Sequence, residues 1–224
     1  MRLGVLVSGR GSNLEAVLDA VADGRLPDVE PVLVVSNRPA ARGLEVAAAH
    51  GVRAVVLRRA DHGGGVGRDR AIGRALSESG VDLALLAGYD QLLHRSFFEA
   101  FAGRAINIHP SLLPRHGGTG MTGLAVHEAV LAAGDAETGV TIHQVTAELD
   151  AGPVLRQERV PVVPGETAEE LATRVLTVEH RVLVETLRDL AVAADLEHAS
   201  ASMTAGSAPL AGPGDSQQRS LPHA

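Results

Sequence analysis

A chain of 224 residues with 45% hydrophobic content can enclose one substantial core or two small ones, and with aromatics at 2% that core must be built from Ala, Val and Leu. The net charge of -7 comes with no basic stripe, which argues against nucleic acid as a partner. There is no Cys and no Lys, all 20 cationic side chains being Arg, which excludes a thiol nucleophile, a disulfide framework, a thiolate metal site, Schiff-base chemistry and a lysine-bearing phosphate loop.

The apolar run Leu3 to Val7 is too short for a signal peptide or a membrane span, so the expectation is a cytoplasmic protein that does not engage membranes. It reads as a strand ending in Ser8-Gly9-Arg10-Gly11-Ser12-Asn13, after which Leu14, Val17, Leu18 and Val21 recur at helical spacing. Pro31 to Val35 predicts a second strand, Ala40 to His50 a helix, and Val52 to Leu57 a third strand. Ala71 to Ser79 follows as helix, Val81 to Ala87 as strand, Ser96 to Phe101 as a short helix and Arg104 to Ile108 as a fifth strand. Strands alternating with helices predict an α/β fold with a doubly wound, mostly parallel sheet. Arg115 to Gly123 is Gly-rich and reads as a loop, and Leu124 to Ala133 as a helix. Thr138 to Val145 and Val154 to Val160 predict two more strands, separated by the turn signal Glu148-Leu149-Asp150-Ala151-Gly152-Pro153. Thr167 opens a long amphipathic C-terminal helix running toward Ala194, with early acids suited to its N-terminus. The expected organisation is one domain over 1–196 and a disordered Ala/Ser/Gly/Pro-rich tail over 197–224.

Two places carry candidate chemistry. In Ile106-Asn107-Ile108-His109-Pro110, Asn107 and His109 share one face of a strand that Pro110 stops, so both sit at its carboxyl end, where open α/β sheets hold ligands. An aspartate in the later turn, Asp150, would raise the His109 pKa and orient its ring if the sheet brings the two together, leaving Asn107 to donate to an oxyanion. The turn Gly9-Arg10-Gly11-Ser12-Asn13 offers backbone N–H groups at a helix start and suits a phosphate monoester. Its spacing is not the dinucleotide fingerprint, and Ser36-Asn37 stands where a ribose-binding acid would be. His109, His127 and His143 are dispersed and no metal site is expected.

Ser8 to Leu14, Val35-Ser36-Asn37-Arg38, Ala87-Gly88-Tyr89, Asn107 to Pro114, Leu149 to Pro153 and Glu179-His180-Arg181 occur in one order over about residues 1 to 190. That series resembles the successive motifs of the phosphoribosylglycinamide formyltransferases, a folate-dependent formyltransferase family. The resemblance implies formyl transfer from the co-substrate 10-formyltetrahydrofolate to the amine of glycinamide ribonucleotide, in purine biosynthesis. It puts Asn107, His109 and Asp150 on the catalytic positions, Gly11, Ser12 and Asn13 on the substrate phosphate, and Glu179 near the substrate's ribose and amine end. Folate contacts are implied for the loop Gly88 to Leu93, hence Tyr89, Asp90, Gln91 and Leu92, and for Thr146 to Asp150, with Arg68 or Arg70 meeting the folate tail. Two departures stand out: Asp90-Gln91 replaces the common Met-Arg, and the loop Arg115 to Gly123 is longer than usual. The implied partners are small-molecule substrates, with a monomer or homodimer as the assembly. The competing readings are the same transfer to another small amine, such as an amino sugar, and a non-catalytic nucleotide-binding module.

Overall fold

In a computed structural model, the backbone is described for residues 1–205 and side chains to residue 196. The elements alternate as expected through the first half: β1 (Arg2–Val7), α1 (Ser12–Ala22), β2 (Glu30–Ser36), α2 (Arg42–Ala49), β3 (Ala54–Val56), α3 (Gly65–Glu78), β4 (Leu83–Leu86), α4 (Arg95–Ala100) and β5 (Arg104–His109). Then follow α5 (Leu124–Ala132), β6 (Glu137–Gln144), β7 (Val154–Pro161) and α6 (Ala168–Ala205). One seven-stranded sheet runs β3-β2-β1-β4-β5-β6-β7; β1 to β5 pair in parallel, and β6 and β7 add antiparallel at one edge.

The sheet is covered on both faces, as parallel strands require. Alternation along β1 sends Leu3, Val5 and Val7 into one core with Leu14, Val17, Val175, Leu183 and Leu187, while Leu6 faces a second core with Leu33, Ile72, Leu76 and Phe97. Chain order reverses direction between β1 and its neighbour β4, so a crevice opens beyond their carboxyl ends. A Ser8 N–H to Gly88 carbonyl bond of 3.1 Å ties those two ends together.

α3 starts at Gly65, ahead of the expected Ala71. Its buried stripe is Arg68, Asp69, Ile72, Gly73 and Leu76; two of these are charged and one is glycine, so hydrophobic periodicity registers only its second half. α6 continues through Ala205, so the expected start of the tail at residue 197 falls within the helix; residues 206–224 lie outside the described residues. Among the described residues no helix is long and apolar enough to cross a membrane.

Candidate active site

β5 delivers Asn107 and His109 to its carboxyl end on one face, with Ile106 and Ile108 packed in the core on the other. Antiparallel pairing with β6 sets Asn107 opposite His143 and His109 opposite Thr141. The His143 Nδ1–H donates to the Gln144 carbonyl at 3.1 Å, so Nε2 accepts a bond of 3.1 Å from the Asn107 amide. Burial lowers the His143 pKa, which suits this neutral tautomer. His109 is 5% exposed, and its Nε2–H donates to the His116 carbonyl at 2.9 Å. Its Nδ1 is the nitrogen left for chemistry.

Asp150 sits in the β6–β7 turn at φ 51, a left-handed conformation that Asp tolerates. Its Oδ2 accepts from the Gly118 N–H at 2.8 Å, and its Oδ1 lies 3.6 Å from His143 Nε2. The imidazole beside Asp150 is therefore His143; the expected pairing with His109 is not formed. The cause is register: β6 runs antiparallel to β5, so its own His143 stands nearest the turn that follows it. His143 went unassigned in the sequence, although Thr141 and His143 alternate on one strand face just before the aspartate turn. His127 on α5 is also buried; desolvation and then the field of His109 lower its pKa, and its Nδ1 has no partner. Among the described residues no cluster of His, Asp or Glu could hold a metal ion.

The β1–α1 turn forms the second half of the site. Gly11 has φ 76, and a Cβ there would fall 2.7 Å from the Gly43 Cα, so the turn needs glycine for both conformation and space. The first intrahelical bond of α1 comes from the Glu15 N–H, which leaves the N–H groups of Ser12, Asn13 and Leu14 pointing out of the helix start. Asn13 is buried; its amide donates to Glu179 Oε1 at 3.3 Å and its Oδ1 has no partner. Glu179 comes from α6 and is buried too. Burial pushes its carboxyl up to about 7, against the opposing effects of Asn13 and Arg10. The fold thus gathers Gly11, Ser12, Asn13 and Glu179 from opposite ends of the chain.

The loop after β4 lies across the crevice. Asp90 accepts from Asn37 at 3.0 Å, pairs with Arg38, and its N–H donates to Ser8 Oγ at 3.0 Å. Burial works to raise its pKa, but the bonds from Asn37, Ser8 and Gln91 and the Arg38 charge outweigh that and hold it below the usual carboxylate range. Arg68 is only 3% exposed; it pairs with Asp69 at 2.7 Å, donates to Gln91 Oε1 at 3.2 Å, and its guanidinium lies 6.0 Å from the Tyr89 ring centre. Arg68 braces this loop from inside, whereas Arg70 is exposed. Tyr89 is buried, which raises its hydroxyl pKa, while Leu92 is 51% exposed at the loop's tip.

A sequence profile for the family described as Formyl transferase matches residues 1–187. The chain is 36% identical over 181 residues to the phosphoribosylglycinamide formyltransferase of Haemophilus influenzae, covering 81% of this chain and 82% of that one. It is 40% identical over 186 residues to the chloroplastic phosphoribosylglycinamide formyltransferase of Arabidopsis thaliana, covering 82% of this chain and 63% of that longer protein. Among solved structures, glycinamide ribonucleotide transformylase 1 from Symbiobacterium toebii superposes with a TM-score of 0.80 at 40% identity, covering 86% of this chain and 88% of that one. A profile match across most of the chain, joined to these identities over a shared fold, makes this protein a formyl-transferring enzyme of the Formyl transferase family.

Proposed function

We propose that this enzyme transfers the formyl group of 10-formyltetrahydrofolate to the amino group of glycinamide ribonucleotide. The observation that supports it best is that Asn107 and His109, with His143 and Asp150, stand at the carboxyl end of β5, while the Gly11-Ser12-Asn13 turn, with Glu179, follows the carboxyl end of β1, parallel to it with only β4 between. The turn offers three free N–H groups at a helix start, which suits the phosphate of the acceptor. Glu179 beside it suits the ribose and amine end, and the loop Tyr89 to Leu92 suits the folate.

The substrate amine attacks the formyl carbon, a C–N bond forms, and negative charge develops on the formyl oxygen. The Asn107 amide has two N–H groups, of which His143 takes one; the second donates to that oxygen. His109, protonated at Nδ1, donates to the same oxygen. Asp150 takes the proton that the attacking nitrogen sheds and hands it to the folate nitrogen as the bond between that nitrogen and the formyl carbon breaks, while the oxyanion collapses to the carbonyl of the new formamide. Every step uses only side chains this sequence contains, and no covalent enzyme intermediate forms.

The test is a panel of amines incubated with 10-formyltetrahydrofolate and scored for formylated product. Product from glycinamide ribonucleotide well above all other amines is expected. Preference for an unphosphorylated amino sugar, or formate release without any acceptor, would overturn the assignment.

A further inference from the structure

The segment after Pro114 holds both ionisable groups proposed for the reaction. The His116 carbonyl accepts from His109 Nε2 at 2.9 Å, and the Gly118 N–H donates to Asp150 Oδ2 at 2.8 Å. Ser111 Oγ closes the same turn from below by donating to the Arg115 carbonyl at 2.7 Å. The backbone here is in an unusual conformation: His116 has φ 52 and Gly118 φ 93. Gly117 between them lies so close in that a Cβ would stand 2.5 Å from Leu113 Cδ2 and 3.5 Å from Asp150 Oδ2. A left-handed non-glycine residue costs on the order of 1 kcal/mol, so something outside the turn must hold it there.

That holder is Asp135, just beyond α5, whose side chain is 7% exposed. Its Oδ2 lies 2.6 Å from His116 Nε2, and its Oδ1 pairs with the Arg115 guanidinium. The hydrogen bond from His116, joined by the Arg115 charge, keeps the Asp135 carboxyl below the usual range. Arg115 and His116 thus point outward to one carboxylate while their backbone points inward to the site.

We propose that Asp135 is a positioning residue: by gripping Arg115 and His116 it sets the backbone of residues 115–118, so that the His116 carbonyl fixes the His109 ring and the Gly118 amide fixes Asp150. Asp135 itself touches neither side chain. The proposal rests on the roles given above to His109 and Asp150, and it gives the long loop a purpose in turnover instead of in substrate choice. A displacement of catalytic groups slows the chemical step while leaving substrate contacts elsewhere intact.

The test uses the full chain with Asp135→Asn, Asp135→Glu and Arg115→Ala, and two readouts. The first is steady-state kinetics with 10-formyltetrahydrofolate and glycinamide ribonucleotide; the second is the nitrogen-15 NMR signal of the His109 ring in the absence of substrate. Asp135→Asn should lower kcat about 10- to 100-fold with both KM values within about twofold of wild type. It should also shift or broaden the His109 Nε2–H signal, and Asp135→Glu should recover most of both. Wild-type kcat and an unmoved His109 signal in Asp135→Asn, or a loss confined to KM, would overturn the proposal. Should Asp135→Asn fail to fold by circular dichroism, Arg115→Ala decides on the same readouts, because that side chain is 59% exposed. A wild-type protein that formylates no amine while its His109 signal still responds to Asp135 would refute the reaction and leave the anchor supported.

Discussion

Asn107 carries two amide N–H groups, and the fold occupies one of them with His143. In the proposed mechanism the free one is the oxyanion donor, so Asn107→Ala should lower kcat by about 100- to 1,000-fold, the usual loss for one such donor, in a protein that still folds by circular dichroism. Near-normal turnover in that variant would remove Asn107 from the mechanism. Glu179 makes a prediction of a different kind. Its folded pKa of about 7 lies above its ordinary value of 4.5, so the folded protein keeps a proton that the unfolded chain releases. The contribution of Glu179 to stability is therefore fully present below about 4.5 and is lost as pH rises through about 7, with a total near 3 kcal/mol once the buried carboxyl is ionised. Glu179→Gln keeps the shape and removes the charge. Unfolding midpoints across that range should fall with pH in the wild type and stay flatter in the variant, which should be the more stable of the two at pH 8. Matching slopes would assign the decline to another group.

At the scale of elements, the strand alternation in Asn107-Ile108-His109 was enough to place both polar side chains at the carboxyl end of β5. The loop after β4 was less legible, because Asp90-Gln91 reads in sequence as an acid added to a folate surface. In the fold these two residues are fasteners: Asp90 ties the loop to the ends of β1 and β2 through Ser8, Asn37 and Arg38, and Gln91 ties it to α3 through Arg68. Arg38 is largely exposed, so its pair with Asp90 contributes only about 0 to 1 kcal/mol, and with the Asn37 bond also lost Asp90→Ala should lower global stability by only about 1 to 2 kcal/mol. It should instead speed amide hydrogen exchange over residues 88–93 and raise KM for 10-formyltetrahydrofolate while the acceptor KM holds. Unchanged exchange would mean that the Arg68 side of the loop suffices.

For the molecule as a whole, the two cores on either face of the sheet carry its stability, and they differ in kind. One is aliphatic; the other contains all 3 Phe residues, with the Phe97 and Phe98 rings edge to face at 5.1 Å and Phe101 tilted at 5.6 Å from Phe97. Phe97 is fully buried beneath α3, so Phe97→Ala should cost about 3 to 5 kcal/mol in denaturant unfolding, a large share of a domain's total. A loss below about 1 kcal/mol would show that this core repacks around the gap. Composition and periodicity alone determined the alternating α/β order, the parallel sheet, the glycine turn at the start of α1 and the strand-end placement of Asn107 and His109, because each follows from local conformational preference and the burial of one face. Only the tertiary structure decided that Asp150 meets His143 and not His109, that Arg68 is sealed inside, and that Asp135 reaches Arg115 and His116. Those pairings depend on strand register and on loops closing over long separations, and local periodicity carries no information about either.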